Sequence, residues 1–95
     1  MNKADFEKLV GRIFEIKIDG DVVDHCRLEK IYDYPYSGLP GAKKEPFGLD
    51  FASKKNDRYP KYIVTASTEG FAEFTMNLIP SWKDSEGILY HAVFA

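Results

Sequence analysis

The chain has 95 residues, of which 44% are hydrophobic, 29% charged and 15% aromatic, with a formal net charge of −2. That is the size of one domain spanning residues 1–95, too rich in apolar and aromatic residues for a disordered chain. A single cysteine excludes a disulfide-stapled scaffold and a multi-thiolate zinc site, and no apolar run approaches the roughly 18 residues that span a bilayer.

In chain order, the first predicted element is a short helix. Asn2 has the chemistry of an N-cap, Asp5 and Glu7 suit the first turn, and Phe6, Leu9 and Val10 fall on one face. Gly11 is placed to end it. Two turns cannot persist alone, so that face must dock on the rest of the fold.

From Phe14 the period changes to two. Phe14, Ile16 and Ile18 alternate with Glu15 and Lys17, and Asp19-Gly20 then marks a hairpin. A two-residue loop would pair Phe14 with His25. A three-residue loop, Asp19 to Asp21, pairs Phe14 with Cys26 and brings Leu28 to the same face, burying more apolar surface. The second register is expected, although it turns Asp24 inward. Beyond Leu28 the apolar parity shifts to Ile31, which indicates a β-bulge near Glu29-Lys30.

Residues 34–46 are dense in Pro and Gly and read as a long connection. Phe47, Leu49 and Phe51 alternate in a third strand. After a polar turn, a fourth strand runs from Tyr62 to Ala66. Phe74, Met76 and Leu78 mark a fifth that stops at Pro80. Ser81 to Gly87 reads as a polar turn holding Trp82. Ile88 to Phe94 is the last strand, with Tyr90, Ala92 and Phe94 on one face. The expectation is a mainly β, small six-stranded antiparallel barrel or sandwich with a short N-terminal helix.

The chain resembles a family of small uncharacterised bacterial proteins built on a β-rich domain of unknown function. The similarity rests on Phe6, Leu9-Val10-Gly11 and Phe14, on Glu45-Pro46-Phe47 with Leu49 and Phe51, on Glu69-Gly70, on Leu78-Ile79-Pro80, and on Tyr90 with Ala92-Val93-Phe94. The sequence departs from the family pattern at Lys61 and Asn77. The resemblance implies a β-rich fold and no known activity, and it points to a structural role in a phage-tail-like or other assembly.

The residues offer little catalytic chemistry. His25 and Cys26 are neighbours, so a strand turns them to opposite faces and they cannot share an ion. Asp19, Asp21 and Asp24 cluster at a turn but lack the Gly and Glu of a calcium loop. There is no Gly-x-Ser-x-Gly elbow, and Gly38 to Lys44 lacks the ending of a phosphate loop. The expected cofactor set is therefore none, and the domain is not expected to be an enzyme.

Two binding readings remain. Tyr34, Tyr36 and Trp82 stand outside the alternating core pattern and suit anchors in a protein interface or in self-association. Between Ala42 and Tyr62, six basic side chains meet three acidic ones. Lys43, Lys44, Lys54, Lys55, Arg58 and Lys61, with Tyr59, form the alternative: a small-ligand or single-stranded nucleic-acid site. The acidic balance of the whole chain disfavours nucleic acid. With no signal-like stretch at the N-terminus, the expected location is cytoplasmic, with no membrane.

Overall fold

A computed structural model describes residues 1–34 and 46–94. Tyr36, Lys43 and Lys44 lie outside the described residues. The elements are α1 (Lys3–Glu7), β1 (Ile13–Ile18), β2 (Asp21–Asp33), β3 (Phe47–Ser53), β4 (Ile63–Thr68), β5 (Phe71–Asn77), β6 (Ile79–Asp84) and β7 (Gly87–Phe94). All seven strands belong to one antiparallel sheet, in the order β5-β4-β1-β2-β3-β7-β6.

The helix is capped as expected. The Asn2 side chain accepts from the Asp5 N–H at 3.2 Å, and the Asp5 carboxylate accepts from the Asn2 N–H at 2.8 Å. This reciprocal box satisfies two otherwise orphaned donors. The helix is shorter than the sequence implied, because the chain turns after Glu7. Phe6 and Leu9 remain buried, but Val10, expected on the docked face, is exposed.

The β1–β2 hairpin gives Phe14 its expected partner by a different route. Phe14 pairs with Cys26, but Ile18 pairs with Asp21, so the loop is the two residues Asp19 and Gly20. Both have positive φ, +52° and +85°, as a primed hairpin turn requires. The extra residue is Val23, bulged where the register shifts between Ile16 and Lys17. The second bulge falls at Glu29, where Leu28 pairs with Phe51 and Lys30 with Asp50.

The expected count of six strands is corrected to seven. Ile79–Asp84, read from sequence as the end of one strand and a polar turn, is edge strand β6 paired to β7. Its side chains do not alternate in burial, which hid it from a periodicity reading. Pro80 is tolerated there because an edge strand does not need every N–H.

The barrel-or-sandwich expectation is also corrected. The single sheet coils until Phe74 of β5 lies 6.3 Å from Phe94 of β7, but β5 and β6 do not pair. Phe6 fills the space between the two ends. Its ring lies 5.3 and 5.4 Å from Phe71 and Phe74 on one side, and 5.9 and 5.6 Å from Phe47 and Phe94 on the other. The concave face holds the core, including Phe14, Ile16, Leu28, Leu49, Phe51, Leu78 and Tyr90.

Two polar residues, Asp24 and Ser53, are buried on that face. Asp24 faces inward, as the favoured register required, and it is fully partnered. Its carboxylate accepts from the Tyr59 hydroxyl at 2.5 Å, from Ser53 Oγ, from the His25 N–H at 2.8 Å and from Cys26 Sγ at 3.5 Å. Burial alone would raise the Asp24 pKa, but these donors together outweigh it and hold the carboxyl below its ordinary value.

Candidate functional site

The core closes the concave face, so the chemistry open to solvent lies on the convex one. Cross-strand partners point to the same side of a sheet. The ladder therefore arranges the convex face of β2, β3, β7 and β6 in three rows. Tyr32, Gly48 and Val93 form the first. Lys30, Asp50, His91 and Ile79 form the second. Arg27, Ala52, Leu89 and Trp82 form the third.

Two features stand out. At the β6–β7 end, each row terminates in a large apolar side chain: Val93 is 58% exposed, Ile79 50% and Trp82 65%. This is a stepped apolar ridge beside a free sheet edge. The edge itself is blunted. Pro80 lacks an N–H, the register shifts between Pro80 and Trp82, and Lys83 and Asp84 carry charge.

At the β2–β3 side lies a chain of four hydrogen-bonded side chains. The Tyr32 hydroxyl donates to Asp50 Oδ2 at 2.5 Å, and Asp50 Oδ1 lies 2.5 Å from His91 Nδ1. On the far side of the imidazole, Nε2 meets the Tyr34 hydroxyl. Asp50 is only 5% exposed, and a carboxylate so sheltered needs donors. Since a carboxylate only accepts, Nδ1 of the neutral ring carries the hydrogen, and Nε2 is left to accept from Tyr34. The hydrogen bond to Asp50, with some burial, raises the Tyr32 pKa.

Gly48 makes this arrangement possible. A Cβ there would lie 2.7 Å from both His91 Cε1 and Tyr34 Cε2, and 2.9 Å from His91 Nε2. The two rings, tilted 67° to each other, close over that strand because no side chain stands between them and the backbone. The Tyr34 main chain is fixed too, its N–H donating to the Pro46 carbonyl at 3.2 Å.

The residues singled out from sequence fall in separate places. Trp82 is on the apolar ridge. Tyr34 is half-buried and held by His91. Tyr59 is in the core, its ring stacked on Tyr90 at 4.4 Å, so it presents no open face to a nucleic-acid base. Lys55 Nζ donates to the Val23 carbonyl, and Lys61 pairs with Asp19 at 2.7 Å. Lys54 and Arg58 are exposed.

Cys26 is buried in the core while His25 is on the exposed side, so they do not converge. Among the described residues, no three His, Cys, Asp or Glu side chains gather where a metal ion would be held. Neither His91 nor Asp50 was given a role from sequence. The available signal was Gly48 and Asp50, a small residue and a carboxylate alternating between Phe47, Leu49 and Phe51.

In comparison with known proteins, residues 1–94 match the family model described as Domain of unknown function (DUF6916). Nothing among the curated proteins or the solved structures matches. Among the described residues, no helix is long and apolar enough to cross a membrane.

Proposed function

The chain belongs to the DUF6916 family, whose description carries no activity, and from that premise we propose that it is a non-catalytic protein-interaction domain, a component of a larger assembly. The observation behind this reading is the ridge of Val93, Ile79 and Trp82, three large exposed apolar side chains at the ends of successive cross-strand rows. A single exposed apolar residue is ordinary; three aligned on adjoining strands form a patch of the kind partners cover. Tryptophan is favoured at such contacts because its ring brings large apolar area with few rotamers to freeze. The blunted edge of β6 favours docking on the ridge over addition of a strand.

The test compares wild type with Trp82→Ala and Ile79→Ser, by light scattering for self-association and by partner retention at high salt. The expected result is a stoichiometric contact, to a second copy or another protein, that survives salt and is lost in both variants without a change in melting. Equal binding by the variants would overturn it. Recovery of nucleic acid that washes away with salt would instead favour the segment of Lys54, Arg58 and Lys61.

A further inference from the structure

The chain of four side chains on the convex face lies beside the ridge, and it has the layout of an activated nucleophile. Such a device needs a hydroxyl within hydrogen-bond reach of a base, and a third group that fixes the base's tautomer and orientation. Tyr34, His91 and Asp50 occupy those places in that order. Asp50 holds the hydrogen on Nδ1, so the Nε2 lone pair faces the Tyr34 hydroxyl. Transfer of the phenolic proton would create an imidazolium directly against the Asp50 carboxylate. Tyr32 caps the other carboxylate oxygen.

We propose that Tyr34 is a base-assisted acceptor of acyl groups from activated esters with apolar chains, with His91 as the base and Asp50 as its positioning residue. The phenolic oxygen attacks the carbonyl carbon of the donor, and its proton passes to His91 Nε2. The tetrahedral adduct collapses, the donor's carbon–oxygen bond breaks, and the leaving alkoxide or phenoxide takes the proton from the imidazolium. The products are an O-acyl tyrosine and an alcohol or phenol, with no change of oxidation state.

The choice of substrate class follows from the surroundings. The Tyr34 ring lies over Gly48, whose cross-strand neighbour is the exposed Val93, and Ile79 flanks His91 in the next row. An acyl chain has an apolar shelf there. A phosphoryl group would meet the Asp50 carboxylate, and Lys30, in the same row, lies over the Tyr32 ring at 4.5 Å.

The molecule contains its own standards. Tyr62 is 44% exposed, and among the described residues no imidazole or carboxylate accepts from its hydroxyl. Tyr32 donates to a carboxylate that cannot carry its proton away as readily as an imidazole.

The intact domain is treated with p-nitrophenyl acetate and p-nitrophenyl hexanoate, and acylation of each tyrosine is followed by peptide mass spectrometry. The expected order is Tyr34, then Tyr62, then Tyr32, with Tyr34 ahead of Tyr62 by roughly 10- to 100-fold near neutral pH. That is at or below the usual gain from a positioned base, because Tyr34 is half-buried. Hexanoate should widen the ratio. The pH profile of Tyr34 acylation should differ from that of Tyr62, because only Tyr34 has a base beside its hydroxyl.

In His91→Gln, Tyr34 should fall to the rate and pH profile of Tyr62, a change that loss of a structural contact alone would not produce. The wild-type comparison stands even if that variant fails to fold. Tyr34 reacting no faster than Tyr62 in wild type would overturn the proposal, as would a folded His91→Gln that acylates Tyr34 at the wild-type rate.

Discussion

Replacing Gly48 by alanine adds one methyl group, and the structure says where its cost falls. The new Cβ would sit inside 3.0 Å of His91 Cε1, His91 Nε2 and Tyr34 Cε2. Both rings belong to movable side chains, so the strand need not break; the rings must lift. Lifting His91 breaks its bond to the sheltered Asp50, and a hydrogen bond to a charged group is worth about 1.5–3 kcal/mol. Losing the Tyr34–His91 bond adds about 1 kcal/mol. Against this, removing a glycine from a strand interior returns about 0.5–1 kcal/mol of chain entropy. The balance is a destabilisation of about 2–3 kcal/mol. For a domain of this length it lowers Tm by roughly 10–20 °C. Urea unfolding followed by far-UV circular dichroism measures it directly. In a His91→Ala background the methyl group has no imidazole to displace, so its cost should fall by at least half, a non-additivity expected only of residues in contact. If Gly48→Ala is as stable as wild type, or costs the same with His91 removed, the packing of His91 and Tyr34 over that backbone is refuted.

Tyr59→Phe removes a donor from buried Asp24 and should cost about 1.5–3 kcal/mol at neutral pH by urea titration. The Asp24 carboxyl titrates lower in the folded chain than in the unfolded one. Its stabilisation is therefore complete above about pH 4, the unfolded carboxyl's range, and fades as pH falls through the folded value. Tyr59→Phe should move the acid-unfolding midpoint to higher pH; a downward move would contradict the assignment. Burial, foremost, pushes the Cys26 thiol up to about 12, so thiol reagents should label it only in denaturant, at the unfolding rate, and labelling of the native domain would refute its packing. Phe6→Ala should cost about 3–5 kcal/mol, whereas Trp82→Ala should change unfolding free energy by less than about 0.5 kcal/mol. Calorimetry separates the two.

Where one face of a strand is buried and the other wet, alternation shows the strand plainly. Hence β1 and β7 were legible in the sequence; β3 is buried on both faces and showed instead because Gly48 and Asp50 alternate with Phe47, Leu49 and Phe51. Parity counts an inserted residue but does not locate it. A three-residue loop and a two-residue turn with a bulge at Val23 both bring Phe14 to Cys26, and only the backbone distinguishes them. The strand β6 was illegible because an edge strand buries too little of either face to need a pattern. Asp24, which counted against the favoured register, is accommodated by Tyr59, 35 residues further along the chain. The pairing of Asp50 with His91 spans 41 residues and exists only because β3 and β7 are neighbours. Local spacing carries no trace of either partnership.

The position of Phe6 among Phe47, Phe71, Phe74 and Phe94 sets a condition on how the chain is made. The ring of Phe6 in α1 is completed by that of Phe94 in β7, and the interior strand β3 waits for β7 before both its edges are paired. During synthesis, at about 5–20 residues per second, the β1–β2 hairpin emerges early while the apolar face of α1 has no pocket to enter. The native core is thus assembled only once β7 has left the ribosome, and a nascent chain stalled before Phe94 would hold Phe6, Phe47 and Phe74 without their shared partner, open to chaperones and to one another.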